Sequence, residues 1–289
     1  MIKPDKQTLD EIAEDRPPFP VGLLSREEKD RLIQRGTLGL YRWYLSVSQA
    51  KRNWNPDLNF EWPKLRTDHH PAVQRILEGF FAVEQYVPDY VETLLEVTRT
   101  SHGRSHFTIR WGAEEEKHAD LWYNAVLFSK HRNPQWIRDY MQTLRSTPWE
   151  LLFEDPIEIT AYVTIQERAT QLNYLNTGLV ASGKNPDFPD SEDPVLAQAA
   201  RTIAIDEAAH YNFFLEVLRL YLYYYPARTL EAINTVIKNF TMPADEYLPD
   251  FQSFADALVQ TGIYGPREYA KDVLQMVLDN IGVAGRRAM

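Results

Sequence analysis

Two short strings carry the chemistry of this chain: Glu115-Glu116-Lys117-His118 and Glu207-Ala208-Ala209-His210. Each sets a glutamate three residues before a histidine, and on a helix those positions share a face. A carboxylate and an imidazole leaving one face can hold the same metal ion. With a lone glutamate from each of two further helices, the set becomes what a carboxylate-bridged di-iron site in a four-helix bundle requires. Of seven histidines, His118 and His210 are the two with a glutamate at that offset. One such match means little, but the second raises its weight. A further glutamate lies upstream of each, Glu84 before the first and Glu167 before the second. The chain reads as a pseudo-repeat: a helix with Glu, a helix with Glu-x-x-His, then both again.

The neighbours of these six residues sharpen the reading. Leu77, Phe80 and Phe81 precede Glu84 at helical offsets, which puts its carboxylate in an apolar stripe. A charge there is costly unless it is neutralised or liganded. Glu115 has Trp111 and Trp122 on its face, and Glu207 has Ile203 and Phe214. Glu114, Glu116, Asp120 and Asp206 are placed on other faces by the same periodicity. Thr160, Val163, Thr170 and Gln171 share the face of Glu167, so its helix is expected to line a polar pocket.

The metal must be held by oxygen and nitrogen, because the chain has no cysteine. Disulfides, iron–sulfur clusters and thiolate zinc sites are thereby excluded. Four carboxylates balance two divalent ions, and four Glu with two His suit iron or manganese. The chain carries a net charge of −10 and has no basic groove motif, which argues against nucleic acid. No apolar run reaches the length of a membrane span. The first twenty residues show neither a hydrophobic signal nor a transit segment, and a cytoplasmic location is expected.

The elements that must position these side chains are helices. Ser25-Arg26-Glu27-Glu28 is a capping box. Asn133-Pro134, Asp155-Pro156 and Asp193-Pro194 each give a cap followed by proline at the first helical position. Long helices are expected near 25–50, 72–100, 106–131, 156–182 and 194–224. Shorter ones are expected near 134–146, 227–240, 247–262 and 266–282. The second to fifth long segments would each run roughly 40 Å and carry the six candidate ligands. Tyr221 to Tyr225 reads as the aromatic end of a buried helix. The expectation is an all-α bundle with one core spanning 25–289, preceded by a loosely structured arm over 1–24.

With those residues in view, the chain resembles the soluble acyl-carrier-protein desaturases, over about 54–281. Trp111-Gly112-Ala113-Glu114-Glu115-Glu116-Lys117-His118-Ala119-Asp120 is similar to the family's W-T-A-E-E-N-R-H-G-D. Gln166-Glu167-Arg168-Ala169-Thr170 matches Q-E-R-A-T, and Asp206-Glu207-Ala208-Ala209-His210 matches D-E-x-x-H. Glu84-Gln85-Tyr86-Val87-Pro88 resembles E-E-A-L-P. Two further stretches, from Thr241 to Ala244 and from Gly262 to Ala270, echo C-terminal segments of the family.

The resemblance implies a ferritin-like four-helix bundle with additional helices and a di-iron site in the bundle core. It implies Glu84, Glu115, His118, Glu167, Glu207 and His210 as iron ligands, with Glu115 and Glu207 bridging. Thr170 would assist proton delivery on the oxygen-binding side, and Asp206 would hydrogen-bond a ligand histidine. Trp54 would lie on the electron route, and Trp111 would support the ligands from behind. The implied reaction is O2-dependent desaturation of an acyl chain on an acyl carrier protein, with two electrons from a ferredoxin-type donor. A homodimer is implied as well. Gln85 and Ala119 depart from the family pattern, and so does the short tail, which leaves chain length and double-bond position open.

A carrier protein is acidic, as is this chain, so docking needs a local basic patch. Candidates are Lys64 with Arg66, Arg99 with Arg104 and Arg110, and Lys130 with Arg132. Other readings of the same ligands are a di-iron oxygenase acting on a small or carrier-bound metabolite, a ribonucleotide reductase small subunit, and an iron store.

Overall fold

A computed structural model describes residues 20–186, 188–243 and 247–283, and the regular elements among them are all helical. In chain order they are α1 (Arg26–Trp43), α2 (Pro71–Glu84), α3 (Val87–Thr98), α4 (His102–Ser129), α5 (Pro134–Leu144), α6 (Pro156–Ala181) and α7 (Pro194–Tyr224). The remainder are α8 (Pro226–Asn239), α9 (Phe251–Gln260), α10 (Pro266–Glu268) and α11 (Gln275–Asn280), the last two joined by a π-helical turn, Tyr269–Leu274. Helices α2, α4, α6 and α7 form the bundle. α6 and α7 pack along their length, α2 lies on α4, and α4 meets α7. α1 and α3 cover α4, while α8 and α9 close the sides of α6 and α2.

The caps read from sequence are formed. Ser25 accepts from the Glu28 amide and Glu28 accepts from the Ser25 amide. Asn133, Asp155 and Asp193 each accept amides of the first turn that follows. Residues 1–19 of the expected arm lie outside the described residues. Its last part forms a 3-10 turn, Val21–Leu23, and Leu24 is buried.

Two expectations change. The helix expected over 72–100 is two helices, broken at Gln85 and Tyr86. Pro88 has no N–H to offer the Glu84 carbonyl and its ring crowds that oxygen, so α2 stops at Glu84 and α3 restarts with proline in its first turn. The helix expected over 25–50 ends at Trp43, then passes through a π turn, Tyr44–Ser48, and a 3-10 turn, Gln49–Lys51. The aromatic run closes the largely buried α7 as expected, with Tyr221 buried and Tyr223 63% exposed.

The core is also divided. One apolar cluster holds Leu121, Trp122, Ala125 and Val126 of α4 with Val195 to Ala204 of α7. The other holds Phe107 and Trp111 of α4 with Tyr211 to Tyr221 of α7. On both helices the division falls where Glu115 and His118, or Glu207 and His210, project inward. A layer of polar groups cannot join apolar contact, so it cuts the core across the bundle.

Glu78, on α2, shows how the fold accommodates a charge away from that layer. It is buried beside Arg132 Nε at 2.5 Å, Arg75 Nη1 at 3.2 Å and His131 Nε2 at 3.2 Å. Burial opposes its charge, but His131 and Arg132 outweigh burial and hold the carboxyl at about 2, below its ordinary 4.5. Its contribution to stability is therefore complete above pH 4.5 and is lost as pH falls through about 2. Glu78→Gln is expected to cost about 2 kcal/mol at neutral pH. It should also flatten the loss of stability in that acid window. Urea midpoints across pH check both, and parallel curves for variant and parent would refute the assignment.

Candidate metal centre

All six candidate ligands reach the middle of the bundle, and all are buried. Two sets of potential ligand atoms form there. Glu84, Glu115, His118 and Glu207 make one, and Glu115, Glu167, Glu207 and His210 make the other. Within each set the atoms lie within 4.8 Å of one another. Glu115 and Glu207 belong to both sets, which is the arrangement two ions sharing two bridging carboxylates would need. Each helix of the bundle contributes: α2 ends at Glu84, α4 and α7 give the Glu-x-x-His pairs, and α6 gives Glu167.

The imidazoles are oriented from behind. His210 Nε2 stands 2.9 Å from Glu114 Oε2, and His118 Nε2 stands 3.3 Å from Asp206 Oδ2. A carboxylate only accepts, so these nitrogens carry hydrogen and Nδ1 faces the cage on both rings. His210 Nδ1 lies 2.9 Å from Glu115 Oε1 and 3.6 Å from Glu167 and Glu207 oxygens. Yet it makes no hydrogen bond, and neither do Glu167 Oε2 and both Glu207 oxygens. Buried acceptors converging without partners are costly, and cations placed among them would satisfy the whole set. The residues fit a pair of divalent metal ions.

Electrostatics lead to the same fit. Burial and the nearby Glu115 carboxylate push Glu84 up to about 8, and burial followed by Glu207 raises Glu167 well above the carboxylate range. Burial opposes a charge on His118 and His210, but the surrounding acids outweigh it. Both rings are raised well above the usual histidine value. The cage thus retains protons where positive charge is wanted, and metal binding would displace them.

Behind the imidazoles lies a network that sequence periodicity missed. Glu114 and Asp206 lie on faces other than the ligands' and are nevertheless buried, and Asp206 meets a ligand histidine as the family resemblance implies. α4 and α7 are covered on several sides, so residues beside the ligands are buried too. Both carboxylates are held by one guanidinium: Arg52 Nη1 donates to Asp206 Oδ1 at 2.6 Å and to Glu114 Oε2 at 2.8 Å. Arg52 Nη2 donates to the Tyr44 hydroxyl at 2.7 Å, and Tyr44 donates to Glu114 at 2.6 Å. The π turn after α1 brings Tyr44 and Arg52 into this position. Burial counts against a charge on Asp206, but its bonds to His118 and Arg52 hold it below its ordinary value; His210 and Arg52 likewise outweigh burial at Glu114, at about 2.

The other residues singled out from sequence are also near the cage. Trp54 Nε1 donates to Asp206 Oδ2 at 2.8 Å, and the Trp54 ring lies parallel to His118, centroids 6.1 Å apart. Lys117 Nζ sits 4.7 Å from the Trp54 ring centre. Trp111 Nε1 donates to Glu167 Oε1 at 2.9 Å. The Thr170 hydroxyl donates to the Gln166 carbonyl at 2.8 Å and borders a cavity.

That cavity has a volume of about 390 Å³ and opens onto Glu84 and Glu115. Its walls are mostly apolar, including Phe80, Leu248, Phe254 and Leu258, with Gln166, Thr170 and Asn173 as polar exceptions. α6 therefore borders an apolar space with a few polar groups, instead of the polar pocket its composition suggested. Such a space suits a flexible apolar ligand.

The basic clusters are largely engaged. Lys64 pairs with Glu61 at 2.5 Å and Arg66 with Asp68 at 3.0 Å. Arg104 donates to Tyr221 and Thr160, and Arg132 to Glu78. Arg99, Arg110 and Lys130 are exposed.

A buried Glu/His cage at the centre of a helical bundle defines the ferritin-like di-iron class of fold. The X-ray structure of DesA2 from Mycobacterium tuberculosis H37Rv shares that fold, with a TM-score of 0.61 at 17% identity, covering 88% of this chain and 96% of that one. Residues 75–289 match the model of a family described as fatty acid desaturase, and the chain belongs to that family. A chloroplastic stearoyl-acyl-carrier-protein 9-desaturase 5 of Arabidopsis thaliana is 27% identical over 224 residues, 72% of this chain and 54% of the relative. A chloroplastic stearoyl-acyl-carrier-protein 9-desaturase of Carthamus tinctorius is 28% identical over 225 residues, 72% of this chain and 54% of the relative. The chain spans about half the length of these plant relatives. No helix among the described residues is long and apolar enough to cross a membrane.

Proposed function

We propose that this protein is an O2-dependent acyl-carrier-protein desaturase, placing a double bond in a carrier-bound acyl chain. Glu84, Glu115, His118, Glu167, Glu207 and His210 would hold two iron ions, with Glu115 and Glu207 shared between them. The observation that carries the reading is the apolar cavity of about 390 Å³ whose wall includes two of those glutamates. When bound there, the iron pair would activate O2, the oxidant that removal of hydrogen from unactivated C–H bonds requires. The protein supplies position: with no polar handle on an alkyl chain, the cavity wall decides which carbons face Glu84 and Glu115.

Other residues have defined tasks in this reading. Thr170 offers a hydroxyl on the cavity wall and would hold or pass a proton there. Asp206 and Glu114 keep both histidines in the tautomer that presents Nδ1 to metal. Trp54 is partly exposed, and with Asp206 it links the surface to His118. That supports delivery of two electrons by a ferredoxin-type donor at this face. Family likeness supports a homodimer.

The test is anaerobic iron loading, reduction, then O2 with a panel of acyl-carrier thioesters, read by product mass. Loss of two hydrogens is expected. Gain of one oxygen atom would instead make the protein an oxygenase, and an unchanged panel would reject the assignment. Carrier affinity should also fall steeply with added salt, because two acidic proteins would meet through a local basic patch whose attraction salt screens.

A further inference from the structure

One wall of the cavity is a single face of α9: Phe251, Phe254, Ala255, Leu258 and Val259 all border it, at the spacing of one helix side. α9 rests on α2, and the seat is Gly79. A Cβ on Gly79 would stand 2.1 Å from Phe254 Cδ2 and 2.5 Å from its Cγ. Because Cγ is involved, turning the ring about its own axis relieves nothing. Either the side chain swings about χ1 or α9 lifts.

The neighbours determine where a displaced ring can go. Phe254 packs edge-on to Phe80, centroids 5.6 Å apart, and Phe80 packs edge-on to Tyr174 at 4.9 Å. Tyr174 in turn donates to Glu84. Phe80, Phe254, Tyr174 and Glu84 border the same cavity. Phe254 is otherwise buried, so the space open to its ring is the cavity itself.

We propose that Gly79 is a specificity-determining residue: its missing Cβ lets Phe254 rest against α2, and so sets the bulk of the alkyl chain the cavity admits. The inference rests on reading the cavity as the acyl site and names what limits the chain there. A methyl group at this position costs packing energy and removes space from the chain.

The test compares iron-loaded parent and Gly79→Ala on decanoyl and octadecanoyl carrier thioesters. The octadecanoyl-to-decanoyl ratio of kcat/KM should fall about tenfold in the variant, equivalent to about 1.4 kcal/mol. Iron content and helicity should be unchanged, and Gly79→Ala with Phe254→Leu should restore the ratio. A second readout needs no turnover: thermal stabilisation by 1-hexadecanol should be lost in Gly79→Ala while that by 1-decanol persists. An active parent with the same ratio in Gly79→Ala overturns the inference and leaves the proposed function standing. A parent inactive on every thioester overturns that function, and the alcohols then decide the inference alone. If Gly79→Ala does not fold, Phe254→Leu by itself must shift the ratio toward octadecanoyl; no shift overturns the proposal.

Discussion

Glu115→Ala is expected to abolish iron binding and turnover while leaving a helical protein. Glu115 belongs to both ligand sets, so in the proposed centre its loss would take one ligand from each of the two sets. Reconstituted iron should fall from about two ions per chain to the level of a blank. The fold should survive because the cage is a repulsive layer: deleting one of four buried carboxylates relieves like-charge crowding. His210→Ala should likewise lose iron, since Nδ1 of that ring faces the same oxygens. Iron assay and far-ultraviolet circular dichroism on the same sample check the claim. A Glu115→Ala protein retaining two irons and full turnover would sink the assignment.

Arg52→Met has the second largest expected effect, and it acts on stability as well as on metal. The Arg52 guanidinium donates to both Glu114 and Asp206 and is 7% exposed at its side chain. Removing it leaves two buried carboxylates facing the histidines without that cation. Breaking a buried charge pair in this way costs about 3–5 kcal/mol, and loss of support behind metal ligands weakens affinity about 10–100-fold. Urea denaturation of the metal-free protein and an iron titration measure the two effects separately. Arg52→Lys should fall between parent and Arg52→Met, because a single ammonium cannot reach Glu114, Asp206 and Tyr44 with Arg52's planar geometry. If Arg52→Met matched the parent in both measurements, the clamp would have no energetic role.

The six ligand candidates were legible in the sequence because helical periodicity is local. Glu115 and His118 share a face whatever surrounds the helix, as do Glu207 and His210. Glu84 announced itself by its apolar neighbours. Caps were equally readable, since Ser25, Asn133, Asp155 and Asp193 act on amides two or three residues away. Pro88 is equally visible, and it breaks the segment expected over 72–100 because it has no N–H for the preceding turn.

Of the layer behind the ligands, Asp206 and Trp111 are legible through the family resemblance, whereas Arg52, Tyr44 and Glu114 are not. Arg52 meets its partners across separations of 62 and 154 residues, and no spacing rule links such positions. Periodicity puts Glu114 and Asp206 on faces other than the ligands', which does not decide their burial, because α4 and α7 are enclosed on several sides. Gly79 and Phe254, far apart in sequence, likewise become neighbours only once α9 settles on α2.

By itself, the order of residues determined the helices and which glutamates and histidines share a face, because backbone periodicity fixes directions within an element. Tertiary structure alone decided that one arginine ties Glu114 and Asp206 together behind the two imidazoles, that the core is split by the charged layer, and that an apolar cavity is bordered by Glu84 and Glu115. Those outcomes depend on distances between elements, which are set by packing and are not written in the spacing along any one of them.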